Sequence, residues 1–169
     1  MNRIIMAKPL TRESFAGFGD VIDMDGDNRF PINAGRTERF HDLATAEATG
    51  PNARVIVSLA RGLPYAFPLR LSMVERHPFG SQAFIPLSPR PFVVVVCRDG
   101  PDGPGEPHAF LTRPGQGVNY PRNSWHGVLT PVGEAQDFVI VDRAGDGSNL
   151  EEFYFSHPYE IHLPEGAGA

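Results

Sequence analysis

From Arg54 onward the chain is a series of short apolar runs, each followed within a few residues by Gly or Pro: Arg54–Ala60, Leu69–His77, Gln82–Leu87, Phe92–Cys97, His108–Thr112, Asn123–Leu129, Asp137–Asp142 and Phe153–Phe155. Segments this short, so regularly interrupted, are strands rather than helices, and many short strands joined by tight turns lead to an antiparallel sandwich or barrel. The 18 Gly and 17 Pro are scattered along 169 residues, as turns require, and are not massed in a disordered tract. Helical periodicity is scarce. Ile4–Ala7 reads as a short edge strand, Thr11 as the cap of a short helix running through Phe15 to Phe18 and stopped by Gly19, and Asp23–Arg29 as a polar turn region. Thr45–Thr49 and the acidic segment near Glu151 read as further helical turns. No repeat, linker or low-complexity block divides the chain, so residues 1–169 are expected to form one domain.

Several classes of partner are disfavoured at once. A net charge of −5 argues against a nucleic-acid surface, which would be basic. The N-terminus Met1-Asn-Arg-Ile-Ile-Met-Ala-Lys8 has no long apolar stretch, and no run approaches the roughly 18 apolar residues of a membrane span. A cytoplasmic protein is expected. The single cysteine, Cys97, closes the run Phe92–Cys97 and reads as a buried, inert thiol, because nothing basic in that run would favour a thiolate.

The run Leu69-Arg-Leu-Ser-Met-Val-Glu-Arg-His77 locates the chemistry. Residues two apart on a strand share a face. Leu69, Leu71 and Met73 therefore share theirs with Glu75 and His77, whereas Arg70, Ser72 and Arg76 suit solvent, with Val74 the exception. A carboxylate and an imidazole turned into a barrel mouth are costly unless paired, hydrogen-bonded or metal-bound.

Two stretches carry a resemblance. In Gly115-Gln-Gly-Val-Asn-Tyr-Pro-Arg-Asn-Ser-Trp-His126, residues Gly115, Pro121 and His126 fall on the slots of the second motif of the cupin superfamily. Asn123 replaces a Gly of that motif, a substitution compatible with left-handed backbone, and Thr130 replaces its final Asn. In Glu75-Arg-His77 through Gln82, the first motif is similar, with Glu75 in the first His slot, His77 in the second and Gln82 in the Glu slot. The resemblance implies an all-β fold, the cupin double-stranded β-helix (jelly-roll) barrel with a few short helices. It also implies that Glu75, His77, Gln82 and His126 converge inside that barrel. Such a set supports either a divalent metal with open coordination positions, nickel or manganese being the candidates, or a hydrogen-bonded polar site without metal.

A narrower resemblance runs in order from about Leu10 to Arg143. Ile32-Asn-Ala-Gly35, Glu38–Leu43, Glu75–Pro78, Gln82–Pro86, Phe92–Val96, Gln116–Tyr120, Arg122-Asn123, Trp125-His126 and Asp137–Arg143 together look like the ureidoglycolate lyase family. The family implies cleavage of (S)-ureidoglycolate to glyoxylate and urea in allantoin degradation, with no nucleotide or organic cofactor and with a homodimeric assembly. On that reading Glu75, His77 and His126 are catalytic. Arg122 is the candidate clamp for the substrate carboxylate, Gln116 and Asn119 for the urea end, and Gln82, Tyr120 and Trp125 for the rest of the pocket.

Duller roles exist for each. His77 before Pro78 can end a strand with its ring on a backbone carbonyl, Gln116 and Asn119 can be turn residues, Arg122 a surface arginine, and Tyr120 and Trp125 core. His41-Asp42 reads as a turn or interface pair, or as support for the site; His108, His157 and His162 lack partners at any readable spacing. The rival functions are a metal-dependent oxygenase or isomerase on the same barrel, and a non-catalytic small-ligand binder.

Overall fold

In the computed structural model, which describes residues 3–167, the short runs become strands. In chain order they are β1 (Arg3–Met6), β2 (Lys8–Pro9), the one-turn helix α1 (Arg12–Phe15), β3 (Asp20–Ile22), β4 (Arg29–Ile32), β5 (Thr37–Phe40), β6 (Arg54–Gly62), β7 (Leu69–Arg76) and β8 (Gln82–Pro86). There follow β9 (Phe92–Gly100), β10 (Gly103–Leu111), β11 (Gly117–Tyr120), β12 (Trp125–His126), β13 (Thr130–Pro131), β14 (Gln136–Ala144) and β15 (Glu151–His162).

An eight-stranded sheet runs β1-β15-β7-β12-β9-β10-β2, with β13 paired to β9. A five-stranded sheet runs β3-β11-β8-β14-β6, and β4 and β5 form a separate hairpin. The two large sheets enclose a core in which Phe92, Val94 and Val96 of one meet Phe84, Val118, Tyr120 and Phe138 of the other. This is the expected cupin-like barrel.

The run Phe92–Cys97 is apolar throughout because β9 is buried on both faces. Its alternate residues Val93, Val95 and Cys97 join a second cluster with Val74, Trp125, Tyr159 and Ile161. The strand β15 pairs with β7 on one side and, in parallel, with β1 on the other.

The structure corrects several local expectations. The helix is shorter than expected: Thr11 caps it through a capping box with Ser14, but Gly17 in left-handed backbone (φ 81°) ends it. Gly19 has another duty, since a Cβ there would lie 2.2 Å from the Asn119 carbonyl oxygen. Thr45–Thr49 is extended, with Ala48 bridging Gly80, and the acidic segment near Glu151 begins β15. Asn123–Leu129 is not one strand, because the tight turn at Pro121–Ser124 leaves only β12 to pair. Leu71 packs in the second cluster rather than with Glu75, opposite a register shift in β15. Among the described residues no helix is long and apolar enough to cross a membrane.

Candidate active site

The site forms where the end of β7 meets the turn that precedes β12. His126 lies directly opposite Glu75 in the antiparallel β7–β12 pair. The backbone N–H of Asn123 donates to the His77 carbonyl at 3.0 Å. Asn123 holds left-handed backbone (φ 65°), as its place in a Gly slot implied. The turn thus hands His126 to the strand that carries its partners.

Both imidazoles are fixed by main-chain carbonyls. His77 Nδ1 lies 2.7 Å from the Asn149 oxygen, and His126 Nδ1 lies 2.9 Å from the Ser124 oxygen. A carbonyl only accepts, so each Nδ1 carries a proton and donates it, which leaves Nε2 as the atom through which either ring, in its neutral form, would bind a metal. Both Nε2 atoms are buried without a hydrogen-bond partner. They lie 3.7 Å (His77) and 3.6 Å (His126) from Glu75 Oε1, and one ligand atom from each of the three residues falls within 4.8 Å of the others. Two lone pairs and a carboxylate facing one point, with the ring orientation set from behind, is the donor set of a divalent transition-metal site. The residues fit the metal that the fold implies.

With an imidazolium at His126, and then at His77, facing it, the Glu75 carboxyl is held below its ordinary value against the cost of burial; a metal ion in place of those protons would act in the same direction. Tyr120 stacks flat on His126, with centroids 4.3 Å apart and 11° between planes. Burial and the Glu75 charge push its phenol upward, so it remains a neutral hydroxyl.

Of the other expected site residues, Gln82 joins the group. It pairs with Tyr120 across β8 and β11, and its Oε1 is buried without a partner. Gln116, Asn119 and Trp125 are elsewhere. Gln116 is spent on structure: its Oε1 accepts from Arg113 N, and its amide donates to Asp23 and the Leu10 carbonyl. Asn119 faces away from Tyr120 and donates to Asp20 and the Thr45 carbonyl. Trp125 faces away from His126, into the second cluster, where Arg76 covers its ring and Asp99 accepts its N–H at 2.9 Å. Arg122 is exposed on the turn, with no salt-bridge partner among the described residues. His41 and Asp42 line a groove beside the β4–β5 hairpin rather than the site.

Two participants escaped the sequence reading. Asn149 supports His77 through its main-chain oxygen and Phe79 N through its side chain; its distance along the chain left no local sign. Asp142 stands beside Gln82, with one carboxylate oxygen buried and unpartnered. It did leave a sign, since Phe138, Ile140 and Asp142 share a strand face that ends, like that of β7, in an acid.

A jelly-roll barrel holding two imidazoles and a carboxylate at one end defines a cupin-type enzyme. The sequence pattern described as "Ureidoglycolate lyase" matches residues 2–162. A protein of that name from Mesorhizobium japonicum is 78% identical over 160 residues, covering 95% of this chain and 98% of its own. Another from Chelativorans sp. is 66% identical, covering 96% and 99%, and a "Ureidoglycolate lyase 2" from Rhizobium meliloti is 57% identical, covering 91% and 94%. The chain belongs to the ureidoglycolate lyase family.

Proposed function

We propose that this chain cleaves (S)-ureidoglycolate to glyoxylate and urea, as a step of allantoin degradation in the cytoplasm. The observation that carries the reading is the convergence of two buried, unpartnered Nε2 atoms on the Glu75 carboxylate.

The substrate carbon bears a hydroxyl, a carboxylate and the ureido nitrogen. As the hydroxyl loses its proton the C=O bond forms, the C–N bond breaks, and the nitrogen takes a proton to leave as urea. No water enters, and the proton count does not change. A single base therefore serves: the proton lifted from oxygen is the one needed at nitrogen, two atoms away. Glu75, His77 and His126 hold the hydroxyl-bearing carbon and provide that base. A divalent ion held by these three residues, nickel or manganese, would supply Lewis acidity to lower the hydroxyl pKa. Tyr120, stacked on His126, and Gln82, its partner across β11 and β8, adjoin the three, with the neutral Tyr120 hydroxyl able to donate to a substrate oxygen. Arg122, exposed on the turn before β12 and without a salt-bridge partner among the described residues, is our candidate cation for the substrate carboxylate.

A homodimer accords with the outer face of β6, where Val57 and Leu59 are 71% and 73% exposed beside Val55. Apolar side chains massed on a sheet face suit a second protein surface.

The test is direct. Purified protein given racemic ureidoglycolate should release urea and glyoxylate in equal amounts and stop at half the substrate. Chelation should abolish the reaction, and nickel or manganese should restore it. No urea, with and without those ions, would overturn the lyase reading; activity that survives chelation would overturn the metal.

A further inference from the structure

The three proposed catalytic residues account for one end of the substrate only. Ureidoglycolate carries an anion at one end and at the other a ureido group, whose nitrogens are N–H donors. A site that selects it needs acceptors placed away from the catalytic carbon, and the inner face of the five-stranded sheet supplies them.

Tyr120 is paired with Gln82 across β11 and β8, and Val141 with Ala83 across β14 and β8. Continued by one residue, that second register sets Asp142 beside Gln82. Tyr120 in turn lies flat on His126. The row His126, Tyr120, Gln82, Asp142 therefore crosses from one sheet to the other as an unbroken line of polar groups. At its far end, Gln82 Oε1 and Asp142 Oδ1 are both buried and both lack a hydrogen-bond partner. Buried acceptors are normally satisfied. Two such acceptors on neighbouring residues, adjoining a reaction centre, are matched by a ligand with two N–H donors.

The geometry points to Asp142 and Gln82 as the seat of the ureido group, accepting its N–H donors, with the substrate carboxylate directed to the opposite end. Asp142 favours that orientation, since its carboxyl oxygens accept from N–H groups and, when ionised, repel the substrate's own anion. Gln82 accordingly acts in substrate recognition, and Asp142 is a specificity residue that touches substrate but not the breaking C–N bond. This assignment rests on placing the hydroxyl-bearing carbon at Glu75, His77 and His126.

Calorimetric titration with two probes tests it without requiring turnover. N-carbamoylglycine has the ureido group and the carboxylate; glyoxylate has only the acid end. In Asp142→Asn, N-carbamoylglycine should bind at least tenfold more weakly and glyoxylate within twofold of wild type. KM for ureidoglycolate should rise by a similar factor while kcat changes less than threefold. Gln82→Met, which keeps the side-chain length and removes the acceptor, should show the same pattern to a smaller degree, and stands in should Asp142→Asn not fold. Equal weakening of both probes, or of neither, would overturn the assignment. Failure of the underlying lyase reading shows separately, as a wild-type protein that releases no urea.

Discussion

Glu75 and His126 stand directly opposite each other on antiparallel strands, with 3.6 Å between Oε1 and Nε2. At that separation they do not satisfy each other by a hydrogen bond, and they are close enough to grip one atom between them. Glu75→Gln keeps the shape and removes the charge. It is expected to lower kcat/KM by at least about 100-fold, the low end of what a positioned acid or base contributes, and to weaken nickel binding. Urea release and metal titration read the two effects, while thermal unfolding should show that the fold persists.

Asn123 is the turn residue that delivers His126. Asn123→Gly should fold and react like the parent, since glycine takes left-handed backbone freely. Asn123→Val should lose roughly 1–2 kcal/mol, the cost of left-handed backbone, and should lose activity beyond that by displacing His126. Denaturant melts and steady-state kinetics of the pair separate the two terms.

How much of this was readable from residue order alone differs from residue to residue. Glu75 and His77 were legible from their place in the first motif, although the strand parity that also pointed to them breaks between Leu71 and Glu75, and His126 was legible because its spacing from Gly115 and Pro121 is local. Trp125 and Asn119 were assigned to the pocket from their place in a motif. Their neighbours His126 and Tyr120 point inward, and adjacent strand residues point opposite ways, so both face outward. Asn149 was invisible because its partner, His77, is 72 residues distant. The strand β11 was hidden inside a motif read for its side chains, and the length of β15 because only Phe153–Phe155 forms an apolar run in it.

Trp125 and Gln116 provide the control. Trp125→Phe removes an N–H bonded to Asp99 and thins the second cluster; it should lower stability by about 1 kcal/mol and leave kcat/KM within threefold. Gln116→Ala should behave likewise, because its amide joins three main-chain and side-chain groups around Leu10, Asp23 and Arg113. A large, selective loss of kcat in either would place it at the chemistry after all.

Cys97 gives a signed pH dependence. Burial pushes its thiol from 9.0 up to about 12. The folded state thus favours the protonated form. The associated stability is complete below pH 9 and is lost as pH rises from there towards 12. The native protein should resist iodoacetamide at pH 8 and react fully in denaturant. The wild-type melting temperature should fall towards that of Cys97→Ala over this alkaline window.

The exposed β6 face predicts the assembly. Val57→Asp should convert a dimer into monomers in light scattering while the monomer keeps its strand content by circular dichroism. A dimer that persists would place the contact elsewhere.

The rings of His77 and His126 are held by oxygens of the main chain, at Asn149 and Ser124, rather than by side chains. Every residue possesses that oxygen. The proton on each Nδ1 is therefore indifferent to what side chain stands at positions 124 and 149, so long as the chain follows the same path. Position 124 can change without moving the His126 ring, whereas Asn149 is held to its place by its own side chain, which accepts from Phe79 N at 2.7 Å. An engineer wishing to turn either ring would have to reroute a loop rather than exchange the residue whose oxygen holds it.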